Sequence, residues 1–498
     1  MNRKLVSGLF WVLLANLLVK PLWILGIEVG VQNAVGTEMY GFYFTIFNIS
    51  YIFNILLDLG ITNFNTRNIA RHPKLIEKHL PGLLSIKLLL LVFYLVVTFS
   101  IGLIKGFSSE QFLLLAILTF NQFLNSMILY LRSNYEGLLL FKWDSLISVL
   151  DRVLMIVICG LMLWLPYSGE GSRMTVYSFA LAQTAAYLVT AVLALTVLIR
   201  RQVSVSKFQV SGFKFNRRKR LFAIAILKQS LPFALLVLLM ASYNRIDPIL
   251  LEQLSTDGMG NMNAGIYAGA FRLLDALTMI AYLVSVPLLP IFSKLTKERS
   301  EGVRDGEIAE TTKGMFAMVM VFAITAACSL ACVANDIMAL FYEENVEEYA
   351  DVFRIVIFCI IPISTTYIFG TLLTAGGYLR KLNIFAACSL MANIGVNLLL
   401  IPRYGAVGSA WAGVTAQSLM AVAQIVAALK IFEIKLSWGY ILKLTTFTLS
   451  IIACTLSTKF VVWWQTLLIC GAVAMIMALA LKLINIKEIT KSIKNKDL

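Results

Sequence analysis

Residues 1–27 read MNRKLVSGLFWVLLANLLVKPLWILGI, a basic start followed by an apolar run that one Lys20-Pro21 pair interrupts. The form is that of a secretion signal, yet no small-residue cleavage site follows and apolar sequence continues for hundreds of residues. The segment therefore reads as a retained transmembrane helix. A bilayer core asks for about 20 apolar residues per crossing, and such runs recur as far as Ile484 with only short polar breaks between them. At 498 residues, 59% hydrophobic, 14% charged and a mean hydropathy of +0.83, the chain has too little polar surface to coat a water-soluble globule.

The expected fold class is an all-α polytopic membrane protein with about fourteen transmembrane helices, in two pseudo-symmetric six-helix lobes plus two C-terminal helices. Spans fall near 5–27, 40–61, 80–104, 111–131, 146–165 and 174–199, then near 231–251, 264–292, 315–340, 352–374, 383–401 and 406–429, with a last pair near 438–456 and 461–484. This gives an N-lobe over 1–200, a basic loop over 201–228, a C-lobe over 229–430, the last two helices within 431–485 and a tail over 486–498.

The net charge of +15 does not indicate nucleic acid, because Lys and Arg lie almost entirely in the breaks between apolar runs. Their alternation sets orientation, since cationic loops stay cytoplasmic. With a cytoplasmic N-terminus, the inner segments carry Arg3, Lys4, Arg67, Arg71, Lys74, Lys78, a cluster from Arg200 to Arg220, Lys294 to Arg304, Arg380, Lys381 and the Lys-rich tail. The outer loops carry only Lys105, Arg173, Arg403 and Lys459. Both termini are thus expected in the cytoplasm.

The Lys20-Pro21-Leu22 triplet has a counterpart in the seventh span, Asp247-Pro248-Ile249. Each is followed by a similar helix start: Gly41-Phe42-Tyr43 with Phe47 four residues on, and Gly265-Ile266-Tyr267 with Phe271 four residues on. Glu136-Gly137 with Lys142 and Gly376-Gly377 with Arg380-Lys381 form a third match, LPYSGEG and IPRYGAVG a fourth. Their common order implies a parallel repeat. Transporters built on such repeats hold substrate at the lobe interface near the bilayer midplane.

Ionisable residues deep in lipid are retained when paired, hydrated in a cavity or functional. At about 1.5 Å per residue, Lys20 lies about 22 Å from the inner end of its span, and Arg245 and Arg272 lie about 9 and 12 Å from the outer ends of theirs. These three are the candidate substrate-binding cations. Pro21 and Pro248 strengthen that reading, because a broken helix exposes backbone tolerated only against protein or water. Interlobe ion pairing is the structural alternative. Asp275, one turn beyond Arg272, and Asp247 are candidates for ion pairing or for carrying a coupling ion, H+ or Na+. Lys87, Asp151, Arg152, Asp336, Arg354 and Lys443 fall near span ends and read as snorkelling side chains. Arg67 and Arg71 set orientation and would line a cytoplasmic mouth.

Catalysis finds no support. His72 and His79 share one loop without a cysteine nearby, seven cysteines are scattered through apolar runs as packing residues, and no phosphate loop of the Gly-Lys-Ser/Thr kind occurs. No catalytic residue, metal or cofactor is expected beyond the coupling ion.

DLGITNFNTRNIAR after the second span, RIDPILL and AGIYAGAFRLLDAL across the seventh and eighth, and TAGGYLRKLNI with NLLLIPRYGAVGSAWAG across the tenth to twelfth resemble the polysaccharide flippases of the multidrug/oligosaccharidyl-lipid/polysaccharide (MOP) exporter superfamily. The resemblance implies movement of an undecaprenyl-diphosphate-linked oligosaccharide across the bacterial inner membrane for O-antigen, lipopolysaccharide or capsule synthesis. It implies partners that are the lipid-linked anionic glycan, membrane lipid and other assembly proteins, with cavity cations at Lys20 and Arg272 and a tail groove near the last two helices. Arg245 is added from depth alone. Within the superfamily, a cation-coupled multidrug exporter would favour a carboxylate over Lys20, and a peptidoglycan-precursor flippase is a second alternative. A glycan polymerase or acyltransferase would call for a large outer loop or deep catalytic His and Arg groups.

Overall fold

The computed structural model describes residues 19, 21–62, 65–66, 69, 76–138, 140–165, 174–202, 234–285, 288–300, 306–458 and 461–483. Most of the expected first span, the basic loop and the tail lie outside them, as do Lys20, Arg67 and Arg71. Every element among the described residues is a helix. Eleven are long and apolar enough to cross a membrane, or twelve if one bent pair counts as a span. The chain is a multi-pass membrane protein. Met1–Ile249 and Leu250–Leu498 form two compact units.

In the first unit, α1 (Leu22–Val35) begins with a π-helical stretch, Leu22–Glu28, directly after Pro21. α2 (Thr37–Leu57) is α-helical to Ile52 and tightens to a 3-10 turn over Phe53–Leu57. It stops at Leu59 and Gly60, whose φ of 45° and 86° no right-handed helix accommodates. α3 (Ile76–Ile104), α4 (Ser109–Gly137), α5 (Phe141–Trp164) and α6 (Val176–Gln202) follow. A capping box starts α4: Gln111 N–H donates to Ser108 Oγ while Ser108 N–H donates to Gln111 Oε1 at 2.8 Å. α3, α4 and α6 share a core that includes Leu83, Leu124, Ile128, Tyr135 and Leu198. Within it Tyr135 gives its hydroxyl proton to the Ala194 carbonyl at 2.6 Å, the partner a buried phenol needs. α7 is the bent pair Ala234–Arg245 and Asp247–Leu254, turned 46° at Ile246 just before Pro248. The ring and missing N–H of Pro248 account for the break.

In the second unit, α8 (Gly260–Ser285), α9 (Leu288–Ser300) and α10 (Glu307–Cys332) are followed by a short α11 (Ala334–Phe341) and by α12 (Val346–Ala375). The sequence suggests one span over 315–340; the helix instead ends at Val333, with φ −102° and ψ 25°, and restarts as α11. α13 (Leu379–Ile431) would be about 80 Å long if straight, over twice a hydrocarbon core. Gly405, at φ 51° and ψ −128°, divides it inside the break expected between Ile401 and Ala406. The chain doubles back so closely that a Cβ on Gly408 would lie 2.5 Å from the Leu400 carbonyl oxygen. α14 (Trp438–Ser457) and α15 (Trp463–Ala480) complete the unit.

The matched motifs adopt matched geometry. Tyr43 stacks on Phe47 with ring centroids 6.0 Å apart and planes 22° apart; Tyr267 stacks on Phe271 at 5.6 Å and 20°. Both prolines likewise sit at a helix irregularity, the π stretch after Pro21 and the bend before Pro248.

Candidate functional site

Arg245 ends the first half of α7, half-buried, with its guanidinium carbon 5.5 Å from the Tyr51 ring centre. An aromatic face there offers a cation attraction without neutralising its charge. Two residues on, Asp247 is buried, and the Pro248 carbonyl accepts a hydrogen bond from Thr45 Oγ1 at 3.3 Å. The bend thus has one of its backbone groups satisfied by α2, as a break inside a membrane requires.

In the second unit Arg272 is buried on α8 and donates from Nη1 to the Tyr342 hydroxyl at 2.8 Å. Tyr342 lies flat on Tyr349, centroids 4.1 Å apart and planes 7° apart. Gly269, one turn before Arg272, makes this arrangement fit. A Cβ there would collide with Tyr349 Cε1 and lie 2.8 Å from the Tyr342 hydroxyl. Asp275 is half-buried on the same helix.

Two sets of charges depart from the snorkelling expectation. Lys87 is fully buried, its Nζ 2.9 Å from Asp58 Oδ1, 2.7 Å from Ser126 Oγ and 3.2 Å from the carbonyls of Leu57 and Ser126. The physical reason is length. α3 starts at Ile76 rather than near residue 80, so Lys87 lies about 16 Å inside it, and the 3-10 end of α2 brings Asp58 within reach. Asp58 also accepts from the Thr62 amide at 3.2 Å, capping the helical turn that carries Asn65 and Thr66. Asn65 in turn donates to Ser133 Oγ at 2.8 Å.

Arg152 likewise turns inward, its guanidinium carbon 5.4 Å from the Trp23 ring and 5.9 Å from Tyr187, with Asp151 buried beside it at 3.6 Å. The Trp23 indole donates to Glu28 Oε1 at 2.9 Å. Glu28, Asp58 and Tyr342 do not stand out in the sequence. Asp58 has a signal, an acid beside an apolar run, though nothing in the sequence assigns its partner. Tyr342 had none, since its partner lies 70 positions earlier in the chain.

The sequence profile of a family described as polysaccharide biosynthesis protein matches residues 5–296. An uncharacterized membrane protein of Methanocaldococcus jannaschii is 26% identical over 389 residues, covering 76% of this chain and 87% of that protein. Among solved structures, the lipid II flippase MurJ in an inward closed conformation aligns with a TM-score of 0.64 at 13% identity, over 95% of this chain and 97% of its own. An inward-facing multidrug resistance MATE family transporter of the MOP superfamily aligns at 0.63 and 15% identity, over 82% and 94%. A MOP superfamily transporter from Pyrococcus furiosus, described as having a binding pocket of reversed polarity, aligns at 0.55 and 14%, over 86% and 95%. At such identities these structures establish a shared fold.

Proposed function

The chain belongs to the polysaccharide biosynthesis protein family, and from that premise we propose that it flips an undecaprenyl-diphosphate-linked oligosaccharide from the inner to the outer leaflet of a bacterial cytoplasmic membrane. The glycan serves O-antigen, capsule or a related polysaccharide, and the protein works by alternating access. The observation that carries the reading is Arg245, a cation deep in its span, set over the Tyr51 ring at a proline bend. A diphosphate is the anion such a cation suits, because attraction in a low-dielectric site far exceeds that in water.

Lys20, Arg245 and Arg272 are the proposed phosphate-binding residues, with Arg67 and Arg71 at the cytoplasmic mouth. Asp247 and Asp275 are proposed carriers of the coupling ion. The test is outward display of the lipid-linked glycan in cells carrying Lys20→Ala, Arg245→Ala or Arg272→Ala. Each variant is expected to lose display while membrane insertion and abundance stay at wild-type levels. Normal display from all three would sink the reading.

One observation favours a multidrug exporter instead: Glu28 places a carboxylate in α1, engaged with Trp23. Drug efflux that survives loss of the glycan pathway and vanishes in Glu28→Gln would support that alternative.

A further inference from the structure

Resting on the reading of Arg272 as a phosphate-binding cation, we propose that Tyr342 is its exchangeable partner. Phenol and phosphate compete for the same guanidinium arm, and arrival of the diphosphate releases the helical hairpin that carries Tyr342.

The hairpin is α11 and the first turns of α12, joined through Glu343, Glu344 and Asn345. Asn345 makes the turn in the left-handed region, at φ 56° and ψ 30°. Tyr342, stacked on Tyr349 over Gly269, anchors the hairpin to α8, and the anchor ends on Arg272 Nη1. A hydroxyl is a weak partner for a guanidinium. A phosphate offers two oxygens to the same fork and forms charge-assisted hydrogen bonds about twice as strong, so it displaces the phenol once it reaches Arg272.

The hairpin's charge makes the exchange two-state. Glu343, Glu344, Glu347 and Glu348, all exposed, flank the tyrosine pair. Four carboxylates beside a bound diphosphate repel it, so a seated hairpin and a bound anion disfavour each other. The substrate's own charge thereby lifts the hairpin, and its departure lets Tyr342 return.

Ala350, next to Tyr349 in the first turns of α12, is fully buried while the hairpin is seated and reports on it. The experiment follows N-ethylmaleimide labelling of Ala350→Cys in the full chain, in a background without the seven native cysteines, with glycan-lipid synthesis switched on or off. In the parent, labelling is expected to be slow and to accelerate when synthesis is on. With Tyr342→Phe, which keeps the ring stack and removes the hydroxyl, labelling is expected to rise about fivefold, the factor one net hydrogen bond contributes, and to ignore glycan supply. Gly269→Ala, which pushes the tyrosine pair off α8, is expected to act in the same direction.

Slow, supply-dependent labelling of Tyr342→Phe would overturn the proposal, as would parent labelling that never responds to glycan supply. Fast labelling of both Tyr342→Phe and Arg272→Ala, together with normal glycan display from Arg272→Ala, would support the anchor and overturn Arg272 as a substrate cation.

Discussion

Lys87 in the first unit and Arg272 in the second are both buried cations on apolar helices, and their partners differ in kind. Lys87 faces a carboxylate, a hydroxyl and two carbonyl oxygens, so its three N–H groups point at more acceptors than they can use. Arg272 gives one arm of its fork to a neutral phenol on a short hairpin. A charge met by an opposite charge inside the same packed bundle is a fixed joint. A single guanidinium arm held by a hydroxyl can change partner. Depth alone, which is what the sequence offers, does not separate the two.

The contrast breaks most readily at Lys87. Lys87→Met leaves Asp58 without its cation, and loss of one partner of a buried pair costs about 3 kcal/mol, the lower end because Asp58 retains some exposure. A fall in detergent melting temperature and in membrane abundance is expected, with most of it restored by adding Asp58→Asn. An unchanged melting temperature in the single variant would make Lys87 as exchangeable as Arg272.

Gly269→Ala probes the other side. Overpacking against Tyr349 is expected to cost about 2 kcal/mol, visible as a lower melting temperature. A fully stable variant would mean the tyrosine pair yields without resistance and anchors nothing. The smallest effect is expected from Arg245→Lys, which keeps the charge and replaces the guanidinium over the Tyr51 ring by an ammonium. Stability should change by about 0.5 kcal/mol, and glycan display should fall only a few-fold. A loss of display as complete as that of Arg245→Ala would assign the work to the guanidinium's shape rather than its charge.

The spans were legible because a bilayer imposes length and apolarity on every crossing, and the breaks at Pro248 and Gly405 were legible because proline and glycine act locally. The division of 315–340 at Val333 was harder to see. Asn335-Asp336 follows it, but apolar residues resume at once as far as Phe341, and the longer acidic stretch that marks a polar surface comes only from Glu343 to Asp351. At the site, sequence could rank charges by depth but not pair them. Lys87 meets Asp58 and Arg272 meets Tyr342 across gaps of 29 and 70 positions, and helix periodicity says nothing about partners so far apart. Arg152, long and near a span end, has the sequence signature of a snorkelling side chain. Trp23 and Tyr187 give its guanidinium an inward place that a one-helix view does not contain.

The turn at Gly405 bears on how the protein is made as well as on its shape. Two helices joined by a few residues meet with little loop-closure cost, and the backbone approach of Gly408 to Leu400 needs no distant segment to form. That hairpin can therefore close as soon as it leaves the translocon, where α8 and α12, earlier in the chain, are already present for it to pack on. Damage there, as from Gly408→Ala, should be seen by the cell's quality control as missing protein rather than as a transporter that has stalled.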